Sequence, residues 1–304
     1  MGWSYNQIDV YLSNKPNQLG EVAVSSSWTR VSTYGLLRDR PAIKSSTNNS
    51  DKITIPGRPG ELYSVVEKRS NAQISFEILV GDIWPHASLK ASQDPWLNNV
   101  FNRTYYLKSI LETSKRIAYC EPGKSASDYF EVLNTTCEIT DSDEKAMLIK
   151  VTMDVYPFRY NFDGNQGVNI AGNSTYEQRV DFALPYSDCN PIFVTGVYGD
   201  NTGYDLNIQM GCYVDEYNPD PGVGVVARNP AYDASVFQAK VQGKSVIIDT
   251  NKLLAYNSSN EPMNRYLTGD YELLRIKGNR LKIRVANMSG AMPITFYSRR
   301  GIVI

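Results

Sequence analysis

The chain has 304 residues and a mass of 34.1 kDa, roughly twice an ordinary domain, so two domains are expected. Lys+Arg at 31 against Asp+Glu at 32 leave a formal charge of -1, with 42% hydrophobic residues, 21 Gly and 15 Pro. This excludes a collagen-like chain, a wholly disordered one and a polybasic nucleic-acid binder, which would show a clustered basic face. No run approaches the roughly 18 consecutive apolar residues of a membrane helix, and the opening MGWSYNQIDV lacks the charged-then-apolar pattern of a secretory leader. A soluble protein that is not exported by that route and contacts no membrane is therefore expected.

In chain order, the first irregular segment is the polar stretch Lys44 to Lys52, read as a loop. Ile74, Phe76, Ile78 and Val80 then alternate with Gln73, Ser75, Glu77 and Leu79, the period of a strand with one buried face. Asp94-Pro95 reads as an N-cap followed by Pro at the first helical position, with Trp96, Leu97, Val100 and Phe101 on one stripe of a short helix. Alternation returns at Ile149, Val151, Met153 and Val155, after which Pro157 to Asn173 is rich in Gly and Asn. The division between domains is placed near residue 165.

Strand patterns restart at Leu206, Ile208 and Met210, at Val246 to Ile248, at Leu281, Ile283 and Val285, and at Ile294 to Tyr297. Between Cys212 and Val236 lies an excursion carrying Pro219, Pro221 and Pro230, which disfavours a central strand. Tyr is unusually frequent, 21 against 9 Phe and 4 Trp, and suits both half-buried strands and interfaces. The fold class is thus mainly β: two β-sandwich-like domains, residues 1–165 with a short helix, and residues 166–304 with a long loop at 212–236.

The sequence shows no recognisable reactive constellation. Cys120, Cys137, Cys189 and Cys212 are too far apart for a CxxC metal knuckle, and the lone His86 has no histidine partner; free thiols in a reducing compartment are expected. Gly243-Lys244-Ser245 and Gly123-Lys124-Ser125 lack the leading glycine of a P-loop, since Gln238 and Ala118 stand in its place. Asp141 and Asp143 start like a calcium loop, but Lys145 and Ala146 break it, leaving a solvated turn. Ser142 to Lys145 matches SxxK by spacing only. No catalytic residue, metal site or cofactor is assigned, and an enzyme is not expected.

Two sets of spaced features resemble the distal tail proteins of long-tailed bacteriophages. In the first half these are Leu36-Leu37-Arg38-Asp39-Arg40-Pro41, a polar loop, Ile53-Thr54-Ile55-Pro56-Gly57-Arg58-Pro59-Gly60-Glu61-Leu62, and the alternating strand at 74–80. Pro59 stands where the family usually has an acidic residue, which still suits a tight turn. In the second half Ser245 to Asn251, Leu254-Ala255-Tyr256, Asn264, Leu267 to Leu273 and Lys277-Gly278-Asn279 look like the family's carboxy-terminal galectin-like sandwich. The resemblance implies a structural tail-tip protein, made in the bacterial cytoplasm and carried in the virion. In it, six copies form a ring that joins the tail tube to the baseplate hub and host-adhesion device. It further implies contacts with tail tube, hub and receptor-binding or peripheral baseplate proteins, and passage of DNA without sequence recognition.

A ring of head-to-tail contacts closes only if each copy presents two different complementary patches. The Lys44 to Leu62 region, with Ile55, Pro56, Gly57, Arg58, Gly60 and Leu62, is one candidate patch; an ordinary loop between strands is the other reading of it. The 212–236 excursion is a candidate arm for adhesion proteins through Tyr213, Tyr217, Val225, Val226 and Tyr232, since aromatics on an ordered loop make efficient contacts. A carbohydrate-binding module or lectin is the alternative function, because sugar rings stack on aromatic faces. Trp3, Trp28, Trp84 and Trp96 all lie in the first half, however, so tyrosines would have to serve in the second.

Overall fold

The computed structural model describes residues 8–15, 19–49, 52–54, 61–63, 68–81, 95–121, 124–143, 145–171, 174–179, 191–195, 204–213, 236–241, 245–250, 253–268, 280–287, 294–299 and 301–304. The fold is mainly β and divides into two compact units. One comprises Met1–Gln18, Ala23–Arg159 and Ile304, the other Leu19–Val22 and Tyr160–Val303.

The first unit begins with β1 (Asp9–Ser13), β2 (Thr29–Arg30), β3 (Leu36–Leu37), β4 (Ala42–Lys44), β5 (Asn48–Asn49), β6 (Lys52–Thr54), β7 (Glu61–Tyr63), β8 (Lys68–Arg69) and β9 (Ala72–Gly81). Helix α1 (Val100–Thr113) follows, then β10 (Arg116–Cys120), β11 (Asp128–Asp143) and β12 (Ala146–Asn161). The main sheet runs β2-β1-β10-β11-β12-β9-β3, with β4 also on β9, while β5 with β8 and β6 with β7 make two-stranded pairs of their own.

The alternation read at 74–80 and 149–155 is the buried face of this sheet. In the antiparallel register Ile78 faces Ile149, Phe76 faces Val151 and Ile74 faces Met153, and all six are buried against Val100, Leu107 and Leu111 of α1. Burying a side chain of this kind stabilises by about 1.5–3 kcal/mol as an upper bound, so β9, β12 and α1 carry the core. The chain enters β3 close beside β9 at Gly35, where an added Cβ would lie 2.7 Å from Ile78 Cγ2 and 3.0 Å from the Leu79 carbonyl oxygen; glycine suits such an approach.

The helix differs from the expected one. Pro95–Asn98 form a single 3-10 turn, and the cap is Asn99, whose side-chain oxygen accepts from Phe101 N at 2.8 Å and Asn102 N at 3.2 Å. Satisfying those first amides at Asn99 starts the helix one turn later than Asp94-Pro95 would have done. The inward stripe is consequently Val100, Arg103, Thr104, Leu107 and Leu111, at helical spacing. Trp96 and Phe101, expected on the core stripe, are 51% and 55% exposed.

Two polar clusters fasten the first strand. Asp9 is buried and accepts a forked pair from Arg30, Nε at 3.0 Å and Nη2 at 2.6 Å, with Ser32 Oγ at 3.2 Å. Arg116, fully enclosed, sets its guanidinium 4.7 Å from the Trp28 ring centre and 5.6 Å from that of Tyr129. It donates from Nε to the Lys15 carbonyl at 3.1 Å and from Nη2 to Ser13 Oγ at 3.2 Å.

The second unit contains β13 (Gly167–Ile170), β14 (Ser174–Arg179), β15 (Ile192–Thr195), β16 (Tyr204–Tyr213), β17 (Val236–Val241), β18 (Ile247–Asp249), β19 (Leu254–Tyr256), β20 (Leu267–Thr268), β21 (Arg280–Asn287) and β22 (Ile294–Tyr297). They form two five-stranded sheets, β13-β22-β15-β18-β19 and β14-β21-β16-β17-β20. The first is anchored by Phe193 and Phe296, directly opposite in register with ring centres 5.3 Å apart, among buried Ile170, Ile192, Ile248 and Ile294. In this unit Arg299 lies over the Tyr160 ring at 4.8 Å with Asp249 3.8 Å from Nη1.

Candidate functional site

Within the stretch from Lys44 to Leu62, the described residues 48–49, 52–54 and 61–62 belong to short strands. Thr47 N donates to Ser70 Oγ at 2.8 Å, Ser70 N donates to the Thr47 carbonyl at 2.9 Å, and Asn48 and Asn49 pair with Arg69 and Lys68. The Ser70 hydroxyl, a short polar group bonded to neighbouring backbone, closes the end of this pair, and strands of two residues are too short for a sequence period to register. Lys52, Ile53 and Thr54 then pair with Tyr63, Leu62 and Glu61. Leu62 therefore sits mid-strand opposite Ile53, while Ile55, Pro56, Gly57, Arg58 and Gly60 lie outside the described residues.

The excursion proposed for residues 212–236 is shorter than its sequence bounds. Cys212 and Tyr213 belong to β16, facing Leu281 and Arg280 of β21, and Val236 opens β17 opposite Gln209. The alternation that begins at Leu206 runs on past Met210, so the strand extends to Tyr213. Tyr217, Val225, Val226 and Tyr232 lie outside the described residues.

The segments with motif-like spacing take structural places. Asp141 and Asp143, read as a turn, are in the last residues of β11, and the neighbouring strand β12 begins at Ala146. Ser142 is likewise in the strand. Lys124 closes a turn by donating its amide to the Glu121 carbonyl at 3.0 Å, and Ser245 Oγ donates to the Thr195 carbonyl at 2.9 Å. Among the described residues no group of three or more His, Cys, Asp or Glu side chains could hold a metal ion, and no helix is long and apolar enough to cross a membrane. His86 and Cys189 lie outside the described residues.

Cys120 and Cys137 are free thiols, the first partly exposed and the second buried. Burial, with Glu112 nearby as a lesser cause, pushes the Cys137 thiol up to about 12. At pH 8 its thiolate fraction is then about one in ten thousand. Iodoacetamide at pH 8 should label Cys120 in the folded protein and leave Cys137 unlabelled until denaturant is added, as read by peptide mass spectrometry. Because the folded value lies above the ordinary thiol value of 9.0, this group's contribution to stability is whole below about pH 9 and is lost as the pH rises toward 12.

Sequence reasoning also missed an aromatic face on α1. Phe101 and Tyr105 pack at a tilt of 46° with ring centres 4.6 Å apart, Tyr106 lies 5.5 Å from Tyr34, and Trp96, Phe101, Tyr105 and Tyr106 are all exposed. The signal was there as an i, i+4 aromatic pair, masked by the expectation that Trp96 and Phe101 face the core.

Fold and geometry together define a two-unit, mainly β protein whose described residues offer strand edges and small two-stranded pairs. No protein-family model matches the chain, and no curated protein matches it by sequence. Among solved structures it is similar to the Dit protein of phage SPP1, described as a paradigm of the hub adsorption apparatus in phages infecting Gram-positive hosts. That likeness has 12% identity, covers 95% of this chain and 97% of that one, and has a TM-score of 0.45. It is also similar to a chain of the phage P2 baseplate in its activated conformation with Ca, at 10% identity, the same coverages and a TM-score of 0.44.

Proposed function

We propose that the chain is a structural subunit of a bacteriophage tail tip, of the distal tail protein type, acting through shape and contact. Six copies close a ring between the tail tube and the baseplate hub, with DNA passing through unread. The protein resides in the virion and meets tail tube, hub and peripheral adhesion proteins. Residues 1–165 form the ring-making domain and residues 166–304 the outward, galectin-like docking domain.

The observation that carries this reading is the spaced resemblance in the first half, whose parts fall in chain order on separate strands. Leu36–Leu37 is β3, Ile53-Thr54 and Glu61-Leu62 belong to the β6–β7 pair on either side of the sequence Ile55 to Gly60, and 74–80 lies within β9. Ile55, Pro56, Gly57, Arg58, Gly60 and Leu62 are proposed for the subunit contact, and Tyr213, Tyr217, Val225, Val226 and Tyr232 for the contact with adhesion proteins. Negative-stain imaging of the purified full chain, with mass photometry, tests the reading. Six-fold rings are the expected result, and particles of one chain's mass at high protein concentration overturn it.

A further inference from the structure

We propose that the length of β11 from Leu133 to Asp143 is an acceptor edge on which the β5–β8 and β6–β7 strands of a second copy add by main-chain pairing. This rests on the ring reading and names the two patches that such a ring needs. β10 covers β11 only at its base, where Arg116 faces Glu131, Ile117 faces Phe130, and Val132 N donates to the Lys115 carbonyl at 2.8 Å. Past that point, among the described residues, β11 has β12 on one side and no strand on the other. Such an edge presents a row of outward N–H and C=O groups.

Residues 133–143, LNTTCEITDSD, contain no Pro and no Lys; the charges that guard this strand against pairing with its own kind are all acidic. Leu133 is 39% exposed, and Asn134, Thr136, Glu138 and Thr140 are exposed as well. The Thr and Ile content favours pairing.

The occupant is a second copy because the matching strands exist in this chain and cannot reach the edge in their own copy. β5 with β8, and β6 with β7, have only each other as partners among the described residues. Two isolated strands are marginal in water and gain from a third. They continue from the β4–β9 side of the sheet, and β9 and β12 lie between that side and β11.

Charge sets the direction. The edge carries Glu138, Asp141 and Asp143 with no Lys or Arg, whereas the four short strands carry Lys52, Lys68 and Arg69 against Glu61. Edge against edge is repelled and edge against basic strand attracted, so the contact is head-to-tail, the kind that closes rings. With a whole-chain charge of -1, this local contrast steers the encounter.

The test uses the full chain. Mass photometry and sedimentation compare wild type, Glu138→Lys, Lys68→Glu with Arg69→Glu, and the three changes together, circular dichroism confirming the fold of each. Hydrogen exchange follows the amides of 133–143 in the assembled and dissociated wild type. Expected are at least tenfold weaker assembly on either side alone, recovery in the combined variant, and protection of the 133–143 amides only in the assembled protein. Assembly unchanged by either reversal, no recovery, or exchange at 133–143 that is the same in both states overturns the acceptor edge while leaving the ring intact. A wild type that stays a monomer at high concentration overturns the ring reading itself.

Discussion

Arg116→Ala should lower the thermal midpoint of the first unit by about 6–12 °C, corresponding to about 3 kcal/mol for a unit of this size. The guanidinium is buried beside the rings of Trp28 and Tyr129 and donates to Ser13 Oγ and the Lys15 carbonyl. A desolvated cation over an aromatic face stabilises by about 2 kcal/mol. Each acceptor left without its donor in a closed site costs about 1–3 kcal/mol, against which the cost of burying the charge is recovered. Ser13 and Arg116 are also register partners across β1 and β10, so the loss frees the end of β1. Arg116→Lys should recover less than half, because an ammonium cannot lie flat beside two rings while reaching both acceptors. Thermal unfolding by circular dichroism, with hydrogen exchange of the β1 and β10 amides, checks both values. An alanine variant as stable as wild type would show that the site is not a clasp.

The parts of this fold legible in the sequence are those governed by one repeating local rule. Ile74 to Val80 and Ile149 to Val155 alternate because one side of each strand meets α1 and the other does not, and period two records that directly. The start of α1 was not legible, since Asp94-Pro95 and Asn99 are both acceptable caps and only the buried positions of Leu107 and Leu111 select between them. The pairs β5–β8 and β6–β7 escaped because their strands are two or three residues long, too short for any period to register. The Arg116 site escaped for a different reason. Its parts come from residues 13, 15, 28, 116 and 129, and sequence distance carries no record of spatial approach. The open edge of β11 is of the same kind, because whether a strand is covered depends on where β10 ends.

Phe296→Ala should have the largest effect in the second unit, about 3–5 kcal/mol, seen as loss of hydrogen-exchange protection in the amides of β15, β18 and β22. Phe296 is fully buried on β22, which lies between β13 and β15, facing Val168 on one side and Phe193 on the other. Ladders on both sides hold the backbone in place, so the sheet cannot collapse into the space an alanine leaves, and the cavity cost adds to the lost transfer energy. The Phe193 ring, 5.3 Å away, loses its aromatic partner as well. Phe296→Leu refills most of the volume and should cost less than about 1.5 kcal/mol. If ring closure belongs to the first unit, Phe296→Ala protein kept well below its melting temperature should still assemble in mass photometry while binding to adhesion proteins weakens. Loss of the ring with the second unit's stability would move the subunit contact out of residues 1–165.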